Sequence, residues 1–332
     1  MRISVIGAGA FGTAMAVAAA RAGNEVVLWA HDPDVARTID ETRENPDYLR
    51  GVTLAETIRA TSDLAEAARF SDKIFMVVPS HVYREVLTNL RAYANGPVWV
   101  ISGTKGIENE SLAPMSAITR DVLGDQLGAF AVLSGPTFAI ETAKGVPSVA
   151  VVASRDVNFA QEMQRAMSSP SFRLYHSEDV NGVELAGSLK NVIAIAAGVL
   201  EGLGLGANTN AALITRGLRE MTRLGIVLGG HLETFAGLAG MGDLVLTCTG
   251  ALSRNRTVGV QLGKGRTLDD ILRDAKFVAE GIKTTKSAQQ LAEKHQIEMP
   301  ITAEMHRVLY EGESPAQGIQ RLMTRSLKSE VA

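Results

Sequence analysis

The sequence predicts an α/β fold, with a doubly wound sheet in the N-terminal half and an all-α C-terminal half. Three observations carry that expectation. A glycine-rich turn, Gly7-Ala8-Gly9-Ala10-Phe11-Gly12, joins an apolar run at residues 2–6 to a helix-forming stretch. Short Val/Ile-rich runs then alternate with helical segments through the first half of the 332 residues. From about Val180 the strand-like runs stop, and helical periodicity with Gly-rich breaks takes over. Continuous apolar runs suit strands covered on both faces, as in a parallel sheet.

Residues 2–6 read as the first strand and residues 13–20, rich in alanine, as the helix behind it. Between them each glycine has a task. Gly7 permits a tight turn, Gly9 lets a pyrophosphate approach the backbone, and Gly12 lets helix and strand pack closely. The helix start adds free N–H groups and a positive dipole end. In this strand–turn–helix setting the pattern reads as the Rossmann fingerprint of dinucleotide binding, with a plain glycine turn as the alternative. Further strands are expected at residues 25–30, weakly at 58–61, at 73–78 before Pro79, at 97–102 and at 129–134. Residues 148–152 and 172–175 extend the sheet, and 183–200 form one nearly all-apolar helix of the kind buried inside a domain. The division expected is a dinucleotide-binding domain over 1–178 and a helical substrate and dimerisation domain over 179–332, with the substrate in the cleft between them.

Composition narrows the function. Hydrophobic residues make up 46% and charged residues 21%, as in ordinary soluble domains. A net charge of −3 argues against nucleic acid or an anionic membrane surface as the main partner and leaves a small anionic substrate open. The single cysteine, Cys248, excludes a disulfide framework and reads as a small buried hydrophobe. No stretch is expected to match the ~18 apolar residues of a membrane span, and no targeting segment is expected ahead of the first strand. A cytoplasmic protein without integral membrane contact is the expectation, and no His/Asp cluster suggests a metal.

In an open α/β sheet, ligands bind beyond the carboxyl ends of the strands. Unusual residues stand at three such ends: Val78-Pro79-Ser80-His81, Gly103-Thr104-Lys105-Gly106 and Ser134-Gly135-Pro136-Thr137-Phe138-Ala139. Each also has a plainer reading, with Pro79 ending a strand, Ser80 capping a helix and Lys105 a solvated cation; several on one rim favour a site. In the long helix, Lys190 has Ala186, Gly187, Ile193 and Ala194 three and four positions away. An ammonium on that face either snorkels to water, pairs with an acid such as Glu184, or is held in a cleft, where desolvation suits it to acid–base work. Asn191 beside it either donates to a substrate oxygen or satisfies a backbone group. Asp243 reads as a helix N-cap or as a carboxylate orienting the lysine. Ser253-Arg254-Asn255-Arg256 offers fork-like donors for a phosphate, or a polar loop. The segment Val278-Ala279-Glu280-Gly281 is turn-like, and its residues do not disclose a role.

Together these segments resemble the bacterial-type NAD(P)-dependent glycerol-3-phosphate dehydrogenases. The glycine turn with Thr13, Val78-Pro79-Ser80-His81, Thr104-Lys105-Gly106, the run from Ser134 to Ala139, Leu189-Lys190-Asn191-Val192, Gly242-Asp243-Leu244 and Ser253-Arg254-Asn255-Arg256 look like that family's motifs, in its order, over roughly residues 2–310. The resemblance implies interconversion of dihydroxyacetone phosphate and sn-glycerol 3-phosphate, feeding glycerophospholipid synthesis, in a homodimer with a 6-phosphogluconate-dehydrogenase-like arrangement of the two halves. By the same resemblance Lys190 exchanges the proton, and Lys105 and Asp243 complete the reacting centre. Gly135, Thr137, Ser253, Arg254 and Asn255 join Lys105, Lys190 and Asp243 around the substrate. Gly7, Gly9, Ala10, Phe11, Gly12, His31, Tyr48, Lys105, Ala139, Arg254, Val278 and Glu280 are the implied cofactor contacts. Ala10 departs from the serine common in the family, so only its backbone N–H remains for that contact.

The cofactor implied is NADP or NAD. Ala30 leaves the end of the second strand neutral, Asp32 follows two residues on, and His31 with Arg37 tolerates a 2′-phosphate; NADP is expected to serve at least as well as NAD. Two other functions fit parts of the pattern. A 3-hydroxyacid or 6-phosphogluconate-type dehydrogenase shares the two halves and a catalytic lysine, and a non-catalytic NAD(P)H sensor shares the glycine turn.

Overall fold

The computed structural model describes residues 1–274, 278–327 and 329–330. Eight strands form one sheet in the order β3-β2-β1-β4-β5-β6-β7-β8. They are β1 (Arg2–Ile6), β2 (Glu25–Trp29), β3 (Ile58–Thr61), β4 (Lys73–Met76), β5 (Val98–Ser102), β6 (Leu127–Ser134), β7 (Ser148–Ser154) and β8 (Phe172–Ser177). The chain runs outward from β1 to β3, then crosses back to place β4 on the other flank of β1. That reversal opens a crevice at the carboxyl ends of β1 and β4, directly above the glycine turn. Several strand ends differ from the sequence expectation by a residue or two. β4 stops at Met76, although the Val77 N–H still bonds to the Ile6 carbonyl at 2.9 Å, and β7 and β8 each run two residues further.

One expectation is corrected. The sheet is not parallel throughout, because β7 runs antiparallel to β6 with Ala131 opposite Ser154 and Ser134 opposite Val151. The connection between them holds only the six-residue helix Ala139–Lys144. A helix of that length spans about 9 Å, whereas returning along an eight-residue strand takes about 26 Å, so the chain re-enters the sheet at the end it left.

Seven helices accompany the strands: α1 (Ala10–Arg21), α2 (Pro33–Thr42), α3 (Leu64–Phe70), α4 (Tyr83–Arg91), α5 (Met115–Leu123), α6 (Ala139–Lys144) and α7 (Val157–Met167). One face of the sheet packs Ile3, Val5 and Leu28 against Met15 and Ala18 of α1 and Phe159 and Met163 of α7. The other packs Ile74, Met76 and Val100 against Tyr83 and Leu87 of α4 and Ile118 of α5.

After Ser177 the described chain is helical. The main elements are α8 (Val180–Gly202), α9 (Ala207–Val227), α10 (Leu232–Ala236), α11 (Asp243–Thr249), α12 (Arg254–Gly263), α13 (Leu268–Asp274), α14 (Glu280–Lys294), α15 (Pro300–Tyr310) and α16 (Pro315–Met323). Contrary to the sequence expectation, α8 is long and apolar enough to cross a membrane by composition alone, with a mean hydropathy of 1.5. It is instead the axis of this half, buried throughout that window, because α9, α11, α12 and α14 pack around it. Gly198 and Gly259 make the α8–α12 approach possible: an added Cβ at either would lie 2.0 Å from a carbonyl oxygen of the facing helix. Ile107 and Leu112, from the long loop after β5, also pack into this helical core. The loop that carries Lys105 is thereby anchored to both halves.

Candidate active site

The glycine turn has the shape a dinucleotide needs. Gly7 adopts φ +118°, and a Cβ there would sit 2.7 Å from the Val77 carbonyl oxygen. A Cβ on Gly12 would fall 1.8 Å from the Gly7 carbonyl oxygen, so only glycine lets α1 start this close to the turn. Gly9 differs, because a Cβ on it would meet nothing within 4 Å. The open space lies at the N-terminus of α1, where Gly9 is the N-cap and no side chain closes the helix end. An anionic pyrophosphate fits that combination of room, exposed N–H groups and positive dipole.

Around the turn, Ala10, Phe11 and Ala139 pack as partly buried apolar groups on one core. The Lys105 ammonium stands 5.7 Å above the Phe11 ring. His31 is exposed beyond β2, its ring 5.9 Å from that of Trp29. The Asp32 carboxylate accepts the Asp34 N–H at 2.9 Å and caps α2, while Arg37 pairs with Asp34 at 2.8 Å. Tyr48 is exposed and lies close enough to the Arg254 guanidinium to interact with it electrostatically. Val278 is exposed. Glu280 spans the two halves, its carboxylate accepting the Ser80 N–H at 3.0 Å and the Ser80 hydroxyl at 2.5 Å. Ser80 therefore caps no helix by its side chain.

The sharpest convergence lies where α8 meets the ends of β5 and β6. Lys190 is buried, and its ammonium lies 2.9 Å from Asp243 Oδ1. Lys105 reaches the other oxygen, Oδ2, at 2.6 Å. One buried carboxylate thus bridges two lysines brought together from three separate parts of the chain. The partner of Lys190 is Asp243 and not Glu184, whose carboxylate accepts the Ser116 N–H at 2.8 Å instead. Asp243 is also not an N-cap: it is the first residue of α11, capped by Gly242, at the end of a π-helical turn over Leu238–Gly242. Such turns recur at functional sites, where they re-aim a side chain. At Gly187 an added Cβ would lie 2.7 Å from Ser134 Oγ and 3.7 Å from Lys105 Cγ, so a glycine one turn before Lys190 admits both neighbours.

A third partner escaped the sequence reading. The Lys190 ammonium donates to the Thr247 hydroxyl at 2.6 Å, and that hydroxyl donates to the Asp243 carbonyl at 2.6 Å. Thr247 is four residues beyond Asp243, one helical turn, and that spacing was the available signal. Burial, reinforced by the nearby positive charge of Lys105, lowers Lys190 to about 8 against the pull of Asp243. Burial pushes the Asp243 carboxyl up, but the two lysines outweigh it and hold it below its ordinary value. Cys248 is buried and its thiol is pushed up to about 12 by burial.

The expected phosphate donors are distributed unevenly. Arg254 opens α12 on the exposed side and, among the described residues, carries no ion pair. Ser253 caps α12, its hydroxyl accepting the Arg256 N–H at 3.3 Å. Asn255 is buried as a brace, donating to Asn191 Oδ1 at 3.0 Å and accepting the Gly281 N–H at 2.9 Å. Thr137 turns its hydroxyl to the Gly135 carbonyl at 3.1 Å, and Gly135 holds φ +152°.

Comparison with known proteins identifies the family. A family model described as the NAD-dependent glycerol-3-phosphate dehydrogenase N-terminus matches residues 2–160, and the corresponding C-terminus model matches residues 179–320. The chain belongs to this glycerol-3-phosphate dehydrogenase family. Relatives named glycerol-3-phosphate dehydrogenase [NAD(P)+] include one from Geobacter sulfurreducens, 50% identical over 330 residues, and one from Citrifermentans bemidjiense, 49% identical over 330 residues. In both cases 99% of this chain and 98% of the relative are covered. The crystal structure of the glycerol-3-phosphate dehydrogenase from Coxiella burnetii is 40% identical, with a TM-score of 0.94 over 98% of this chain and 99% of that one. A D-mandelate dehydrogenase, 12% identical at a TM-score of 0.62, shares the fold of this dehydrogenase family alone.

Proposed function

We propose that this protein interconverts dihydroxyacetone phosphate and sn-glycerol 3-phosphate with NAD(P)H, supplying the backbone of glycerophospholipids. The observation that carries the reading is the buried Lys190–Asp243–Lys105 bridge on the rim above the glycine turn, in a chain of this family. A nicotinamide held beside the glycine turn would supply or take up the hydride at C2 of the three-carbon substrate. As negative charge grows on the carbonyl oxygen, the Lys190 ammonium stabilises it and passes on its proton; the reverse direction needs the neutral amine. A group near 8 exchanges a proton in both directions around neutral pH. Asp243 holds both lysines, and Lys105 adds a second positive charge beside the same oxygen. Thr247 fixes the direction of the Lys190 ammonium.

Arg254, exposed and without an ion pair among the described residues, is the proposed anchor for the substrate phosphate, with Gly135, Thr137, Ser253 and Asn255 shaping its surroundings. Binding energy at that remote end orients the reacting carbon. Gly7, Gly9, Ala10, Phe11, Gly12, His31, Tyr48, Ala139, Val278 and Glu280 are the proposed cofactor surface. NADP is proposed to serve at least as well as NAD, since Ala30 is neutral, Asp32 is turned to cap α2, and His31 is exposed at the surface. The division of the chain at 178/179, a homodimer through the helical half and a cytoplasmic location belong to the same proposal. The division follows the change from strand-like to helical texture near Val180, the location follows the composition, and the dimer rests on the family resemblance, which analytical ultracentrifugation tests.

Initial rates of NADPH and NADH oxidation with dihydroxyacetone phosphate test the activity, beside 6-phosphogluconate with the oxidised cofactors. Turnover is expected only with the triose phosphate. Lys190→Ala is expected to abolish it while NADPH binding, read by fluorescence, stays near wild type. Turnover of 6-phosphogluconate alone, or NADPH binding with no turnover of either substrate, overturns the proposal.

A further inference from the structure

Behind the glycine turn lies a buried polar knot that the reacting centre does not use. Asn45 is fully buried (0% exposed), after α2. Its amide nitrogen donates to the Ala8 carbonyl at 2.8 Å and to the Thr13 hydroxyl at 2.8 Å. The Thr13 hydroxyl donates in turn to the same Ala8 carbonyl at 3.3 Å. Asn45 Oδ1 accepts the Tyr48 N–H at 3.2 Å. A backbone N–H only donates, so the amide oxygen must face Tyr48 and its nitrogen must face Ala8.

The consequence lies in the next peptide. The Ala8 carbonyl shares its peptide plane with the Gly9 N–H, and in a trans peptide the two point in opposite directions. Two donors that pin the Ala8 oxygen inward therefore aim the Gly9 N–H outward, at the open N-terminus of α1. Without those donors the buried oxygen is left unsatisfied. Rotating the peptide to reach water relieves it, but presents a carbonyl oxygen to an incoming phosphate and hides the N–H. Gly9, lacking a side chain, offers little steric resistance to that rotation.

We propose that Asn45 is a positioning residue for the cofactor, setting the plane of the Ala8–Gly9 peptide so that its N–H meets the pyrophosphate. The inference rests on the dinucleotide reading of the glycine turn. ADP-ribose, which carries the pyrophosphate, and adenosine 2′-monophosphate, which lacks it, separate the two by competition with NADPH fluorescence. Asn45→Ala is expected to weaken ADP-ribose about tenfold, the value of one lost hydrogen bond, and to change adenosine 2′-monophosphate by less than about twofold. Asn45→Asp, whose carboxylate repels the Ala8 carbonyl, is expected to weaken ADP-ribose at least as much. A residue that only braces the 45–49 turn would lower the melting temperature and weaken both fragments alike, and that result overturns the proposal. So does ADP-ribose affinity unchanged in folded variants. If the Asn45 variants do not fold, Thr13→Val carries the test: an ADP-ribose affinity reduced about threefold with the monophosphate unchanged supports the proposal, and no change refutes it. Failure of the wild-type protein to bind ADP-ribose would refute the dinucleotide reading itself, an outcome distinct from a silent substitution.

Discussion

Replacing Asp243 by asparagine tests the reacting centre most directly. The carboxylate lies 2.9 Å from the Lys190 ammonium, and its charge is the main influence keeping that buried group protonated. At this distance the attraction is about 6 kcal/mol for an effective dielectric of ~20 and about 1.4 kcal/mol for that of water. At ~1.36 kcal/mol per unit of pKa, its loss moves Lys190 from about 8 to between roughly 4 and 7. Lys105, no longer neutralised, pushes the same way. The observable is kcat/KM for dihydroxyacetone phosphate reduction against pH, because kcat/KM reports groups in the free enzyme. In the wild type this rate is expected to fall as pH rises through about 8, while glycerol 3-phosphate oxidation rises through the same value. A neutral amide offers no charge to the ammonium, so the D243N descending limb is expected at least about one pH unit lower, with a loss of about twofold or more at pH 7. A D243N limb coincident with that of the wild type, or displaced to higher pH, refutes the assignment of Lys190 as the proton donor held by Asp243.

Three further outcomes are expected. Arg254→Ala is expected to raise KM for dihydroxyacetone phosphate by about a hundredfold, in line with loss of a charge-assisted contact; an equal loss with unphosphorylated dihydroxyacetone would contradict its role. Gly9→Ala fits the fold, since its φ of −70° suits alanine and its Cβ meets nothing within 4 Å. Its melting temperature should therefore match the wild type while NADPH affinity falls about tenfold or more, and unchanged affinity would count against the pyrophosphate site. Glu220, buried on α9, accepts the Ile301 N–H at 2.6 Å and the Thr302 N–H at 3.2 Å, and burial pushes its carboxyl up to about 7. A carboxyl raised in the folded state binds its proton more tightly there, so its contribution to stability is full below the unfolded value and is lost as pH rises to about 7. Denaturant unfolding should show Glu220→Gln gaining on the wild type by about 3 kcal/mol between pH ~4.5 and ~7.5, and a difference independent of pH would refute that sign.

Much of the site was legible because local periodicity exposes local oddities. An alanine- and glycine-lined helical face makes the charge of Lys190 conspicuous without any coordinates, and the turn glycines announce themselves by position. The pairing of that lysine was not legible. Asp243 is 53 positions from Lys190 and 138 from Lys105 in sequence, and its local pattern suits an N-cap equally well. Ser253, Asn255 and Glu280 also have structural tasks that no local pattern announces, since their side chains cap, brace and tether. Side-chain hydrogen bonds of that kind depend on which elements meet. The antiparallel β7 was hidden for a similar reason, since strand direction follows from the length of a connection and not from the strand's own residues.

The amino-acid order alone determined the alternation of elements, the glycine turn and the presence of a charge on an apolar helix, because backbone sterics and hydrophobic period act over a few neighbouring residues. Only the folded chain decided that one carboxylate serves two lysines, that α8 is a core axis and not a membrane span, and that Asn45 holds the peptide before Gly9. Those outcomes depend on distances between segments far apart along the chain, and such distances exist only once the sheet and the helices have packed.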